Sequence, residues 1–254
     1  MLDTRKCDVC HNIGIFGKWY QLKTIMDQPG QNNCVSCRVK SLAVETLNSQ
    51  ELSVLQTNCA GARYRKGELI FRQGNLSSQI TYVKTGLVKI HKQGPSREQI
   101  LMLVKSPRFI GIPTILGNKI YQYSASAVES VEICCIDTDI FKTMILRNGK
   151  FANEIINGLC KDELRFFERS INQMQKQLHG RIADALLYFS EEIFESDDFI
   201  MPLSRAELGD FVHASRESVT RVLSALQRNG CIDIKGKKIH VLNHYLLQTI
   251  SQKG

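Results

Sequence analysis

The sequence predicts an α+β protein in three working parts: a roll of short strands, one long amphipathic helix, and a compact winged helix-turn-helix at the carboxyl end. Three observations predict it. Short apolar-alternating runs punctuated by glycines fill residues 60–137, an apolar seam steps through residues 160–178, and two capped helices followed by a hairpin occupy residues 204–241. These textures divide the chain into a cysteine-rich segment (1–45), a roll of short strands (46–150), a long helix (151–179) and a winged domain (180–254). At 254 residues the chain is long enough for two domains with cores of their own.

The first segment carries Cys7-Asp8-Val9-Cys10 and Cys34-Val35-Ser36-Cys37. A C-x2-C pair puts two thiolates on one tight turn, and two pairs complete a four-thiolate tetrahedron. Thiolates suit both zinc and iron–sulfur clusters, so the spacing leaves the metal open, and leaves open that there is none. Between the pairs, Gly14, Gly17 and Pro29-Gly30-Gln31-Asn32-Asn33 make a loop-rich stretch with little to bury, whose order would come from a metal or from packing on another domain. Nine cysteines in a chain expected in the reducing cytosol argue against a disulfide framework. Cys59, Cys135, Cys160 and Cys231 lie in apolar or helical settings outside the pairs and read as buried, inert thiols.

In the roll, Lys66-Gly67-Glu68-Leu69-Ile70-Phe71-Arg72-Gln73-Gly74 reads as turn, strand, turn, and residues 80–90 as two strands broken at Gly86. Residues 99–104 and 125–133 add more strands. Many short strands with glycine turns mean a β-roll or barrel. From Phe151 the period becomes helical: Cys160, Leu164, Phe167, Ile171, Met174 and Leu178 form an a/d seam. Such a seam fits one partner helix in a homodimer, or packing on the chain's own domain. A hinge is expected at His179-Gly180-Arg181, where glycine weakens the helix, and a strand at Phe199–Leu203.

Ser204 with Glu207 makes a capping box, Ser215 an N-cap, and Gly230 a stop. In the second helix Val219, Val222, Leu223 and Leu226 form the buried stripe, which leaves Arg216, Glu217, Thr220, Arg221 and Ser224 on the other face. Arginine matches the O6 and N7 acceptors of guanine, and glutamate accepts from cytosine N4. Arg216, Glu217 and Arg221 are therefore the candidate base-reading residues. After the stop, Ile232-Asp233-Ile234 and Ile239-His240-Val241 flank Lys235-Gly236-Lys237-Lys238, a hairpin with a basic tip suited to phosphate. Ser204, Ser215, Thr220, Lys235, Lys237 and Lys238 are the candidate DNA-backbone contacts. A small helical domain that binds no DNA is the plainer reading; the caps, the helix spacing and the basic wing together favour DNA.

Ala214-Ser215-Arg216-Glu217-Ser218-Val219-Thr220-Arg221-Val222-Leu223 resembles the recognition helix of the CRP/FNR transcription regulators, and Ile234-Lys235-Gly236-Lys237 resembles their wing. The resemblance extends upstream to about residue 34. It implies a cyclic-nucleotide-binding-like roll, a dimerisation helix, double-stranded DNA as partner, and contact with RNA polymerase. In members that read near-palindromic TGTGA-like sites, an Arg, a Glu and a second Arg contact G, C and G, and these fall on Arg216, Glu217 and Arg221. In the oxygen-sensing FNR branch, three N-terminal cysteines and one in the sensor domain hold an iron–sulfur cluster. Cys34 and Cys37 match two of the three and Cys134 matches the sensor-domain cysteine. The third has no match near Leu42, and Cys7/Cys10 have no counterpart in that branch. Cyclic-nucleotide binders of the fold use a Glu for the ribose and an Arg for the phosphate. Here Ile112 stands at the Glu position, and neither residue type occurs from Phe109 to Ala127, so cAMP and cGMP are not expected as effectors.

The net charge of +8 fits a polyanionic partner. No apolar run approaches a membrane span, and no secretory h-region follows Met1, so no membrane partner is expected. No nucleophile–base spacing, Walker loop or Rossmann fingerprint occurs, so the expectation is a regulator and not an enzyme. Two rivals remain: a small-molecule-gated regulator with a structural zinc, and a cysteine-rich redox or metal-binding protein whose winged domain contacts protein.

Overall fold

The computed structural model describes residues 34–117 and 119–254; Cys7 and Cys10 lie outside them. A short helix α1 (Leu42–Glu45) is capped by the Ser41 hydroxyl, and α2 (Ser49–Thr57) by a capping box between Asn48 and Glu51. The alternating runs then become β1 (Cys59–Tyr64), β2 (Leu69–Phe71), β3 (Gln79–Thr85), β4 (Leu87–Gln93), β5 (Glu98–Lys105), β6 (Arg108–Ile110), β7 (Ser124–Ala127) and β8 (Val131–Asp137), with α3 (Ile112–Leu116) after β6. They pair antiparallel in two four-stranded sheets, ordered β1-β8-β3-β6 and β2-β7-β4-β5. Val83, Val88, Val104, Ala125 and Ile133 fill the core that the two sheets share. Gly86 makes the β3–β4 turn at φ +90°, and a Cβ there would stand 2.5 Å from the Ser130 carbonyl, so only glycine fits.

Helices α4 (Thr138–Arg147) and α5 (Gly149–Gln175) follow. They set the fully buried Phe141 and Phe151 against Phe109, with ring centres 5.3 and 6.1 Å apart. The 27-residue α5 is the long helix that the seam predicts, but it stops sooner. The break falls at Lys176 and Gln177, both extended, instead of at Gly180, which lies inside α6 (Leu178–Tyr188). The Lys176 ammonium pins the break by bonding Asp184 at 2.8 Å and the Ser251 hydroxyl at 3.2 Å. Leu178 therefore leaves the expected seam: it opens α6 and packs against the carboxyl-terminal core.

A π-helical turn (Phe189–Phe194) leads to β9 (Asp198–Ile200), shorter and one residue earlier than the expected strand because Met201 to Leu203 turn into the next helix. Then come α7 (Arg205–Val212), α8 (Arg216–Arg228), β10 (Ile232–Lys235), β11 (Lys238–Val241) and α9 (His244–Lys253). The β10-β11 hairpin adds β9 as a third strand. Gly209 lets the turn after α7 fold back closely, since a Cβ there would sit 2.5 Å from the Ala214 carbonyl. Among the described residues no helix is long and apolar enough to cross a membrane.

The winged domain is seated on the roll: Leu87, Ile100, Leu103 and Val128 of the roll belong to the same buried cluster as Leu186, Leu208 and Phe211. One guanidinium joins three parts of the molecule. Arg169 of α5 bonds the carbonyls of Ile100 (3.1 Å) and Leu101 on β5 and of Phe211 (2.6 Å) on α7, and lies 3.6 Å over the Phe211 ring. Burial lowers its pKa to about 10, which still leaves it charged at neutral pH. Lys89 of β4 bonds Glu207 of α7 at 2.6 Å, and Tyr188 donates to the Leu103 carbonyl at 3.1 Å.

Replacing Arg169 by Met keeps the length but removes the donor from the carbonyls of Ile100 and Leu101, and leaves that of Phe211 with Gln173 Nε2 at 3.4 Å alone. The seating should weaken by roughly 1.5–3 kcal/mol, and urea unfolding should split into two transitions, the winged domain first; one unshifted transition would contradict this role. Burial alone would raise the Glu207 carboxyl, but bonds from Lys89 and from the Ser204 N–H and hydroxyl outweigh it and hold the pKa at about 2. A depressed carboxyl stabilises the folded state fully above its ordinary value of 4.5, and that contribution is lost as pH falls through about 2. Carboxyl NMR titration should therefore place the Glu207 midpoint near 2 and, in Lys89→Ala, move it up toward the ordinary value.

Candidate nucleic-acid interface and thiol site

Helix α8 begins at Ser215, whose hydroxyl accepts the Ser218 N–H at 3.2 Å, and buries Val219, Val222, Leu223 and Leu226. The opposite face is left to solvent: Arg216, Glu217, Thr220, Arg221 and Ser224 are all exposed. No ion pair within the described residues engages Arg216, Glu217 or Arg221, so their donors and acceptors remain available for a partner. The turn before α8 is set by His213 in the left-handed region at φ 56°. The amino end of α8 is open to solvent at Ser215, Arg216 and Glu217.

The expected backbone contacts differ in how free they are. Ser204 is occupied in capping α7, accepting the Glu207 N–H at 3.2 Å, and Thr220 donates to the Arg216 carbonyl at 2.8 Å. On the wing, Lys235 lies 3.2 Å from Asp233 and Lys238 3.1 Å from Asp198, while Lys237, beside Gly236 in the turn, has no such partner among the described residues. All three wing lysines are exposed.

On α5, the seam residues Cys160, Leu164, Phe167, Ile171 and Met174 are exposed, and the apolar stripe is broader than the heptad spacing indicates, taking in Ile156 and Phe166. Beside it lies a cavity of about 930 Å³ between α5, the roll and α7, lined by Phe109, Gly111, Ile112, Tyr123 and Phe166 among others. Of its cations, Arg108 bonds Asp162, Arg165 lies 2.8 Å from Glu192 and Arg169 holds carbonyls, while Arg181 reaches the His213 carbonyl at 3.5 Å and its buried Nε has no partner among the described residues.

The cysteines come together in a way that spacing does not foretell. Cys34 Sγ lies 3.7 Å from Cys59 Sγ, and the Cys134 thiol is near enough for it and Cys59 to shift one another's titration. Sheet register explains this second proximity. Cys59 faces Ile136 and Cys134 faces Gly61, so the two cysteines share one face of the β1–β8 pair as diagonal neighbours. Cys37 donates to the Val39 carbonyl at 3.4 Å, and Tyr82, which receives the Ser41 N–H at 2.7 Å, fastens this segment to β3. The bond from Cys59, joined by Lys40 and Lys84, overcomes burial and lowers Cys34 to about 7. Cys59 itself is pushed up, because its bonds to Cys134 and Cys34 use its proton. Among the described residues no three His, Cys, Asp or Glu side chains converge as a metal site.

Of the thiols expected to be inert and buried, only Cys231 is fully buried. Cys160 is exposed because it sits on the open stripe of α5, and Cys59 is half-buried in the thiol row. Cys135 is also half-buried, and burial raises its pKa to about 11; it points to the opposite face from Cys134, against the roll's core. Sequence reasoning also passed over Arg169 and Lys89. An arginine on a mostly exposed helix and a lysine in a strand carry no signal of their own; only their partners across the fold single them out.

Residues 62–148 match the cyclic nucleotide-binding domain family and residues 180–250 the Crp-like helix-turn-helix domain family. The chain is 24% identical over 220 residues to the transcriptional activator protein FnrA of Stutzerimonas stutzeri, covering 84% of this chain and 90% of that protein. It is 25% identical over 229 residues to the fumarate and nitrate reduction regulatory protein of Vibrio cholerae, covering 86% and 90%. Among solved structures, FixK2 from Bradyrhizobium japonicum superposes with a TM-score of 0.69 at 19% identity, over 76% of this chain and 96% of that one. A roll, a long helix and a helix-turn-helix in this order, matched along most of the length of its relatives, establish that the chain belongs to the CRP/FNR family of transcription regulators, which bind DNA and are not enzymes.

Proposed function

We propose that the chain binds near-palindromic, TGTGA-like double-stranded DNA as a homodimer, with Arg216, Glu217 and Arg221 reading base edges. The observation that carries this reading is the outward face of α8, where two arginines and a glutamate stand exposed and unpaired. In the major groove the arginines suit guanine O6 and N7, and the glutamate suits cytosine N4. Lys237 at the wing tip, with Lys235 and Lys238 once released from their aspartates, suits the phosphates, as do the hydroxyls of Ser204, Ser215 and Thr220. The exposed stripe of Leu164, Phe167, Ile171 and Met174 supports the dimer, since a second α5 would cover it. Two-fold symmetry would then set the recognition helices about 34 Å apart, one DNA turn. RNA polymerase is the further partner that the family suggests.

We further propose that DNA binding answers to a thiolate-held iron–sulfur cluster in which Cys34, Cys37 and Cys134 take part. The cysteine pattern supports it: Cys34 and Cys134 pack against one apolar cluster of the roll and Cys37 follows Cys34 by three residues, although among the described residues no three thiols converge. Bound there, such a cluster would supply a redox- and oxygen-labile link between the amino-terminal segment and the roll. The name of the Vibrio cholerae relative, a regulator of fumarate and nitrate reduction, fits a redox-responsive centre. A second reading has the cavity beside α5 admitting a small apolar ligand, since its volume of about 930 Å³ falls within the size of ligand pockets.

Glu217→Ala should relax the preference at one position of each half-site, by ~1–3 kcal/mol in a binding selection; uniform weakening on all sequences would refute base reading. Lys237→Ala should instead flatten the salt dependence and leave the preferred sequence alone. Phe167→Glu should give a monomer by sedimentation and lose ~10²–10⁴-fold in affinity for the palindrome but not for a single half-site. A dimer that persists in that variant would remove α5 from the interface.

A further inference from the structure

We propose that Cys34 and Cys59 form a reversible disulfide when the metal-free chain meets a hydroperoxide, and that this modification withdraws Cys34 from any metal. The disulfide stands on the placement of the two thiols alone. Only its competition with a metal rests on the reading that Cys34 helps to hold a thiolate-bound centre. The two sulfurs already touch, at 3.7 Å, so a closure of less than ~2 Å makes the bond. The freedom to close lies on one side: residues 34–41 have no helix or strand, whereas Cys59 opens β1. Gln56 holds the pair together. Its side-chain oxygen accepts the Cys34 N–H at 3.1 Å, and its backbone carbonyl faces the Cys59 thiol at 3.7 Å. Both thiols are half-buried and so within reach of a small oxidant.

The neighbouring thiols are worse placed for this bond. Cys134 is the diagonal neighbour of Cys59 across the β1–β8 pair, a position where Cα atoms stand about 7–8 Å apart, beyond the ~4.4–6.8 Å that disulfides span. Cys135 turns to the opposite face, against the roll's core, and Cys37 gives its thiol proton to the Val39 carbonyl at 3.4 Å. The oxidation has two steps. One thiolate of the pair attacks a peroxide oxygen: an S–O bond forms, the O–O bond breaks, and the displaced oxygen leaves as hydroxide or alkoxide and takes up the proton that the thiol gave. The second sulfur then attacks the sulfenic sulfur: the S–S bond forms, the S–O bond breaks, and hydroxide leaves with the second proton. The two sulfurs lose two electrons and the two peroxide oxygens gain them, so hydrogen peroxide yields two waters. A thiol reductant reverses the bond, which suits a redox mark and not a structural framework. The link closes the 25-residue span between Cys34 and Cys59 onto an edge strand of the roll.

The test uses the full, unaltered chain, reduced and freed of metal with a chelator, and then given an equimolar amount of hydrogen peroxide. Peptide mapping without reductant should find Cys34 joined to Cys59, and dithiothreitol should release both. A link from Cys34 to Cys37 in its place, or a Cys59 still open to alkylation once Cys34 is consumed, would overturn the pairing. Among variants, Cys59→Ser should leave roughly tenfold less Cys34 in any disulfide at the same dose, for want of the resolving thiol. Cys135→Ser should leave the link unchanged. As much Cys34 in disulfide in Cys59→Ser as in the unaltered chain would count against Cys59 as the partner.

Competition with a metal is measured separately, on the reduced and the oxidised chain, each offered ferrous iron with sulfide or zinc alone. The oxidised chain should retain roughly tenfold less metal after gel filtration and recover its uptake on reduction. Equal retention by the two forms would remove Cys34 from the centre, and the competition with it, while the disulfide stands. No uptake by the reduced chain would remove the centre itself and again leave the disulfide to the peptide map.

Discussion

The relation between the two halves of this molecule depends on a single charge placed where it can be given up by neither. The Arg169 guanidinium reaches from the long helix to two carbonyls of β5 and one of α7, and its flat face covers Phe211. A partly buried charge is tolerated only when its donors are satisfied, and here the satisfying groups belong to different domains. Without the guanidinium, the carbonyls of Ile100 and Leu101 lose this donor and that of Phe211 keeps only Gln173. The apolar cluster that joins Leu103 to Leu208 and Phe211 supplies area, but area is forgiving of a small slide; the fork of Arg169 is not. Helix, roll and reading head are thereby held in one register.

How much of this was legible beforehand depends on whether the signal was local. The caps at Ser204 and Ser215, the stripe of Val219 to Leu226 and the turn at Gly236 are set by neighbours a few residues away, and the structure has each of them. The face of α8 could likewise be read from period alone. The hinge was misplaced for the same reason in reverse. Gly180 looked weak by propensity, but the break occurs at Lys176, where a side chain reaches Asp184 and Ser251 across the fold. The seam likewise ended one residue too far, because periodicity does not register an extended pair such as Lys176-Gln177.

Cys59 shows the limit most clearly. Nothing in its sequence neighbourhood distinguishes it from Cys135 or Cys231, and the C-x2-C pairs draw the eye elsewhere. Its partners lie 25 residues upstream and on the far end of the roll, and only the antiparallel pairing of β1 with β8 brings them to one face. Alternation in a strand then separates adjacent cysteines: Cys134 joins the row, and Cys135 turns to the core. Two neighbouring, chemically identical residues thus meet opposite surroundings.

Glu207 has two employers. It closes the capping box that starts the first helix of the helix-turn-helix, and it receives the ammonium of Lys89 from the roll. A shift of the roll that withdrew Lys89 would leave the carboxylate more mobile at the very residue that nucleates α7, and α7 positions α8 through the tight fold-back at Gly209. News of a change in the roll would thus reach the reading head as a loosened helix start, without any rigid lever between them.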